Sequence, residues 1–151
     1  MKLLIIFIVL ASQVIIASAQ QPVQWEHTAT KLSDNTYKIQ FKATIKVGWH
    51  IYAQKQAKNF IGTPTQFSFT KNPLLKLSGL VTEEGKLEKK TDKSMGIEQR
   101  QYAGTVSFIQ VVNSKANIKT NVLGTITYQA CTDEKCLLPQ IIKFDIPLNN
   151  E

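Results

Sequence analysis

Tyr37-Lys38-Ile39-Gln40-Phe41-Lys42-Ala43-Thr44-Ile45-Lys46-Val47 sets an apolar side chain at every second position and a polar or charged one between. Successive side chains of an extended chain point to opposite faces, so this stretch has one apolar and one solvated face, as a half-buried strand does. Just upstream, Val23-Gln24-Trp25-Glu26-His27-Thr28-Ala29 alternates in the same way, and the turn-prone Ser33-Asp34-Asn35 follows it. The two stretches are predicted to form a hairpin.

Outward from this hairpin, strand patterns recur at residues 50–53, 65–70, 77–82, 102–112, 118–131 and 140–148. Gly62-Thr63-Pro64, Asn72-Pro73, Asn113-Ser114 and Pro139 separate them as turn signals. No sustained helical period is present, and a short helical turn is expected only at residues 53–58. About seven or eight short strands around one core predict an all-β fold, an immunoglobulin-like antiparallel β-sandwich. Residues 83–101 resist the scheme: they are polar, lysine-rich and interrupted by Gly85 and Gly96. They read either as an elongated, solvated hairpin tip or as a functional loop.

The chain of 151 residues opens with Lys2, an apolar run from Leu3 to Ile16, and Ala17-Ser18-Ala19. That is the layout of a cleaved export signal over residues 1–19, leaving residues 20–151 as a single domain. The apolar run is short of the roughly 20 residues a membrane helix needs, and no second one follows, so no stable membrane insertion is expected. No cysteine stands at the cleavage point to carry a lipid. A mature chain of about 130 residues buries about two-thirds of its unfolded surface, enough for a core that does not depend on a disulfide. The net charge is +7, with Arg100 as the only arginine. Nucleic-acid recognition favours arginine forks, and the lysines here are scattered, so no nucleic acid is expected. A solvated basic surface is the simple reading, and steering toward an acidic partner is the other.

Cys131 and Cys136 are the only cysteines, in Tyr128-Gln129-Ala130-Cys131-Thr132-Asp133-Glu134-Lys135-Cys136-Leu137-Leu138-Pro139. If the strand before them stays regular, parity turns Tyr128 to the core and Cys131 outward at the strand end. Bridging the two requires their α-carbons to lie within roughly 4.4–6.8 Å. Chain entropy gains little from so short a ring, which suits exchange. Spacing by itself suits a structural staple, and both readings stay open. Exchange depends on thiol pKa and access; Lys135 favours a thiolate at Cys136, while Asp133 and Glu134 oppose it. There is no Cys-x-x-Cys at a helix start to supply a helix dipole. A closed zinc site takes four ligands, and His27 and His50 stand at no ligand-like spacing from the pair. A metal chaperone built on Cys131, Cys136 and His50 is therefore the weakest candidate, and neither a metal nor another cofactor is expected.

Thr127-Tyr128-Gln129-Ala130-Cys131 with Cys136 and Pro139 behind it, Gly48-Trp49-His50-Ile51-Tyr52, and Pro64-Thr65 together carry a resemblance. The chain resembles the periplasmic N-terminal domain of the transmembrane thiol:disulfide interchange protein DsbD, the disulfide bond corrector family, over nearly its whole mature length. The resemblance implies an immunoglobulin-like sandwich in the periplasm, with secretion as the alternative location. Its Cys131/Cys136 pair would take electrons from a membrane-embedded thiol reductant and pass them to thioredoxin-like periplasmic proteins, a traffic that includes cytochrome c assembly. It also implies that Cys136 forms the mixed disulfide, that His50 and Tyr52 flank the pair where the family tends to place aromatic residues, and that the loop at residues 92–96 caps it. The family's cap carries two adjacent acids and an aromatic. Here Asp92-Lys93-Ser94-Met95-Gly96 offers Asp92 and, as the nearest shield, Met95. The cysteine spacing is one residue shorter than in the enterobacterial form, and the chain ends at Glu151 soon after its last strand, so the reductant is expected as a separate chain. Whether the domain counts as an enzyme, as part of a protein-disulfide reductase, stays open. The competing reading is an immunoglobulin-type binding or adaptor module with a structural hairpin disulfide.

Overall fold

The alternation at residues 37–47 becomes strand β2 (Thr36–Ile45), whose Tyr37, Ile39, Phe41, Ala43 and Ile45 are each at most 4% exposed. It pairs antiparallel with β1 (Val23–Ser33), from Ser33 opposite Thr36 to Val23 opposite Ile45, which is the expected hairpin. The strand stops two residues short of the pattern, and Val47 is 97% exposed. There the chain turns, with the Trp49 amide donating to the Lys46 carbonyl at 3.0 Å. Gly48 supplies the φ of 82° that the third position of a type II turn requires. This turn delivers the chain into β3 (His50–Tyr52).

The computed structural model describes residues 21–92, 96–115 and 119–148. The expected leader at residues 1–19, Met95 and Ile118 lie outside them. The remaining strands among the described residues are β4 (Gln66–Phe69), β5 (Leu75–Gly85), β6 (Glu88–Thr91), β7 (Glu98–Tyr102), β8 (Thr105–Ser114), β9 (Thr120–Tyr128), β10 (Ala130–Cys131) and β11 (Gln140–Leu148). All pairing is antiparallel, in three sheets of order β1-β2-β8-β5, β10-β3-β7-β6 and β11-β9-β4. Aromatic rings join the first sheet to the third: Phe41 lies 5.0 Å from Phe67 and 4.7 Å from Phe144, and Trp25 lies 5.4 Å from Tyr128. Ile51, Tyr102 and Ala130 of the second sheet reach the same core. The predicted all-β, immunoglobulin-like sandwich is the fold observed. No described helix is long and apolar enough to cross a membrane.

Two local expectations are corrected, and the segment read as a hairpin tip or a loop is narrowed to a hairpin. Residues 53–58 form no helical turn, because side chains take up the backbone groups that a helix would use. The Gln54 amide donates to Glu83 Oε1 at 2.7 Å, and Gln56 Nε2 donates to the Ala53 and Arg100 carbonyls at 2.9 and 2.6 Å. The strand expected from residue 102 starts at Thr105, since Gly104 (φ 73°) turns the chain and leaves Tyr102 in β7. Residues 83–101 are mostly strand: the end of β5, then the β6–β7 hairpin. Their polarity has a reason, because one face of β6 and β7 opens onto a cleft.

Candidate functional site

The long strand read at residues 118–131 breaks at Gln129, and that break makes the site. β9 ends at Tyr128, and β10 leaves its sheet to pair with β3, placing Ala130 opposite Ile51 and Cys131 opposite His50. Gln129 pins the crossover. Its Nε2 donates to the Leu137 carbonyl at 2.9 Å, and its Oε1 accepts from the Thr63 amide at 2.9 Å. Parity turned Cys131 outward, away from the core, and Ile126, Tyr128 and Ala130 keep that alternation, but Cys131 sits between His50 and the returning Cys136 and is 0% exposed.

After Cys131 the chain folds back on itself. The Thr132 amide donates to the Lys135 carbonyl (2.7 Å) and the Leu137 amide to the Ala130 carbonyl (2.9 Å), one bond on either side of the cysteines. Cys131 and Cys136 thus face each other across an antiparallel bridge as a pair without mutual hydrogen bonds. This is the closer of the two antiparallel spacings. Their α-carbons are 4.0 Å apart, just below the expected range, and a disulfide joins them. Thr132 Oγ1 holds the turn by accepting from the amides of Glu134 (3.2 Å) and Lys135 (3.1 Å). Cys136 is exposed and Cys131 is not. An incoming thiolate therefore has one sulfur to attack.

Beneath the hairpin, the β10-β3-β7-β6 sheet turns alternate side chains to a cleft of about 770 Å³. His50 stands across from Cys131, and Tyr52, Gln101 and Glu88 form the next row of partners. The Tyr52 hydroxyl lies 3.6 Å from Cys136 Sγ. Its ring packs edge-on against Phe60 (4.7 Å) and His50 (5.5 Å), and Thr65 Oγ1 donates to its carbonyl at 2.6 Å. Burial, and then the charge of Asp92, push the Tyr52 phenol above its ordinary range. It stays protonated and can donate to a thiolate at Cys136.

His50 is shifted the other way. Burial first, then the Lys90 ammonium, hold its imidazole below the usual value, against weaker pulls from Asp133 and Glu88. The folded state thus binds the His50 proton less readily than the unfolded chain does, so this contribution to stability is intact above about pH 6.5 and is lost as pH falls through that value. Unfolding free energy, measured in urea between pH 7 and pH 5, should decline less steeply in His50→Gln than in the parent. Parallel declines would contradict the shift.

Of the residues read from the sequence, Cys131, Cys136, His50, Tyr52 and Asp92 meet around this cleft. Met95 lies outside the described residues. His27 is exposed on β1, in a different sheet. Spacing along the chain hid the approach of His50 to Cys131, which pairing across β3 and β10 creates. Among the described residues no three His, Cys, Asp or Glu side chains gather as a metal site would require. The sequence reading assigned no role to Gln129, Lys90, Ile61 or Gln101. Lys90 Nζ meets Asp133 Oδ1 at 3.2 Å, linking β6 to the hairpin tip. Both ends are exposed, so the pair contributes at most about 1 kcal/mol. Ile61 is exposed at the cleft rim. Gln101 is buried in its floor, with Nε2 donating to Glu88 Oε2 at 3.3 Å. A glutamine next to a core tyrosine, at the end of the polar run Glu98-Gln99-Arg100-Gln101, was the available signal for it.

The family model for the N-terminal part of the thiol:disulfide interchange protein DsbD matches residues 19–147. No curated protein matches the chain. Among solved structures, the N-terminal periplasmic domain of ScsB from Proteus mirabilis aligns with a TM-score of 0.57 at 19% identity, over 83% of this chain. The chain spans only 45% of that structure's length. The reduced N-terminal domain of Neisseria meningitidis DsbD aligns at 0.52 and 20% identity, over 83% of this chain and 86% of the other. The complex between the DsbD N-terminal and PilB N-terminal domains of N. meningitidis contains a chain that aligns at 0.53 and 18% identity, over 87% of each. At such identities the likeness of the structures carries the fold.

Proposed function

The chain belongs to the family of DsbD N-terminal domains, and from that premise we propose that it is an exported electron relay working by thiol-disulfide exchange through Cys131 and Cys136. The observation that carries the reading is the unlike access of the two bridged sulfurs, one exposed beside a phenol and one fully buried. In the reduced protein the Cys136 thiolate, accepting from the Tyr52 hydroxyl, attacks the disulfide of a thioredoxin-like acceptor and forms a mixed disulfide. Cys131 then attacks Cys136 and frees the reduced acceptor. A membrane-linked thiol reductant returns the pair to its dithiol form. Acceptors serving cytochrome c assembly fall within this class. Ile61 at the rim offers an apolar contact to a docking partner, and Asp92 lines the same cleft. Residues 1–19 are the leader that sends the domain to the periplasm.

The reading requires a disulfide that can be opened without unfolding the domain. Closing a ring this short contributes about 2 kcal/mol in the chain-entropy model, against about 4.7 for a 100-residue loop. Reduction should therefore leave a cooperative thermal transition, lowered by no more than roughly 10 °C. Titration against dithiol buffers should place the pair above about −300 mV, in the range of exchanging rather than structural disulfides. A lower potential, or loss of the transition on reduction, would return the pair to the role of a staple in a binding module.

A further inference from the structure

We infer that His50 is the proton acceptor for Cys131 in the resolving half of the exchange, a step that presupposes the relay proposed above. Cys131 has two cross-strand neighbours, Cys136 across the hairpin and His50 across β3. As β10 is an edge strand, no further strand brings another titratable group opposite it. With Cys131 fully buried and His50 only 6% exposed, bulk water has poor access to the thiol. A thiol in such surroundings holds its proton more tightly than a free one, and without a base beside it the attack on the mixed disulfide would be slow. The charged groups that act on His50 are Lys90 and Glu88 from β6 and Asp133 from the hairpin, with the neutral Tyr52 beside it on β3. Burial and Lys90 outweigh the two acids and leave the imidazole neutral at pH 7, free to accept.

In the first half the Cys136 thiolate bonds to one sulfur of the partner's disulfide, and the other partner sulfur leaves as a thiolate and is protonated by solvent. In the second half the Cys131 thiol gives its proton to His50, and its sulfur bonds to Cys136 Sγ. The mixed disulfide breaks, and the departing partner thiolate takes the proton from the imidazolium. The pair loses two electrons and the partner's disulfide gains them.

Ellman's reagent separates the two halves. Mixed in equimolar amount with the reduced protein, it releases one nitrothiobenzoate when Cys136 attacks and a second when Cys131 displaces it. His50→Gln and His50→Phe should slow the second release about a hundredfold, within the range of general-base catalysis, while the first stays within about twofold of the parent. In the parent the second release should slow on acidification with an inflection where the imidazole protonates, and in both variants that inflection should vanish, leaving only the dependence on the Cys131 thiol itself. A second release unchanged in both variants, or both releases slowed alike, would overturn the assignment. Absence of any first release from the parent would instead count against the relay itself. Thermal melts identify a variant that has lost its fold, and the other replacement, polar for aromatic, then gives the result.

Discussion

Cys131→Ser will accumulate protein joined by a disulfide to a thioredoxin-like partner of the export compartment, and Cys136→Ser will accumulate almost none. The difference follows from access. Cys136 is exposed with a phenolic hydroxyl 3.6 Å from its sulfur, whereas Cys131 is 0% exposed beneath the hairpin. Exchange proceeds by attack of a thiolate through a mixed disulfide, so the reachable sulfur makes the first bond and the hidden one breaks it. Removing the hidden one leaves the intermediate with no internal exit. Since Cys131 is packed with no room for solvent, a serine hydroxyl there leaves a buried polar group that costs about 1–3 kcal/mol if unpaired. Cys131→Ala serves as the second version. The two should trap the same partners, recovered under non-reducing conditions and identified by mass spectrometry. Equal capture by the Cys131 and Cys136 variants, or capture by neither, would remove Cys136 as the attacking sulfur.

What the sequence reveals about this site and what it conceals have separate physical causes. β2 was readable because one face is buried along its whole length, so burial and parity coincide from Tyr37 to Ile45. The cysteine pair was readable as chemistry because nothing else in the chain carries a thiol. The burial of Cys131 was not, because it depends on a crossover, held by Gln129 through hydrogen bonds to Leu137 and Thr63, partners 8 and 66 residues away, that sets Cys131 between His50 and Cys136. No periodicity within one strand encodes such a bond. The β6–β7 hairpin was hidden for a related reason: its inner face lines a polar cleft, and strand signals assume that the inner face is apolar. The resemblance to a family placed His50 beside the pair, but only the register of β10 on β3 sets it against Cys131 rather than Cys136.

Gly124→Val should be strongly destabilising although it lies outside the site. Gly124 lies inside β9, the central strand of its sheet, opposite Phe144 of β11 on one side and Phe69 of β4 on the other. A glycine within a strand weakens it unless another group needs the space where a side chain would stand. Here the Phe144 ring occupies that space: a Cβ built at Gly124 would meet Phe144 and the Ser68 carbonyl oxygen well inside van der Waals contact. Neither can give way easily. The carbonyl belongs to the backbone of paired strand β4, and the ring is fixed between Phe41 at 4.7 Å and Phe69 at 5.5 Å. Overpacking of this kind costs about 3 kcal/mol, roughly a 10 °C fall in melting temperature for a domain of this size. Leu123→Thr is the control, since Leu123 sits one residue away on the exposed face and should shift stability by no more than about 0.5 kcal/mol. Because β9 runs directly into the crossover that carries Cys131, unfolding followed by circular dichroism and by alkylation of the reduced thiols should show one shared midpoint in Gly124→Val. A destabilisation no larger than that of Leu123→Thr would mean that β9 and β4 can separate enough to admit a side chain, and that the Phe144 ring is not held as the geometry indicates.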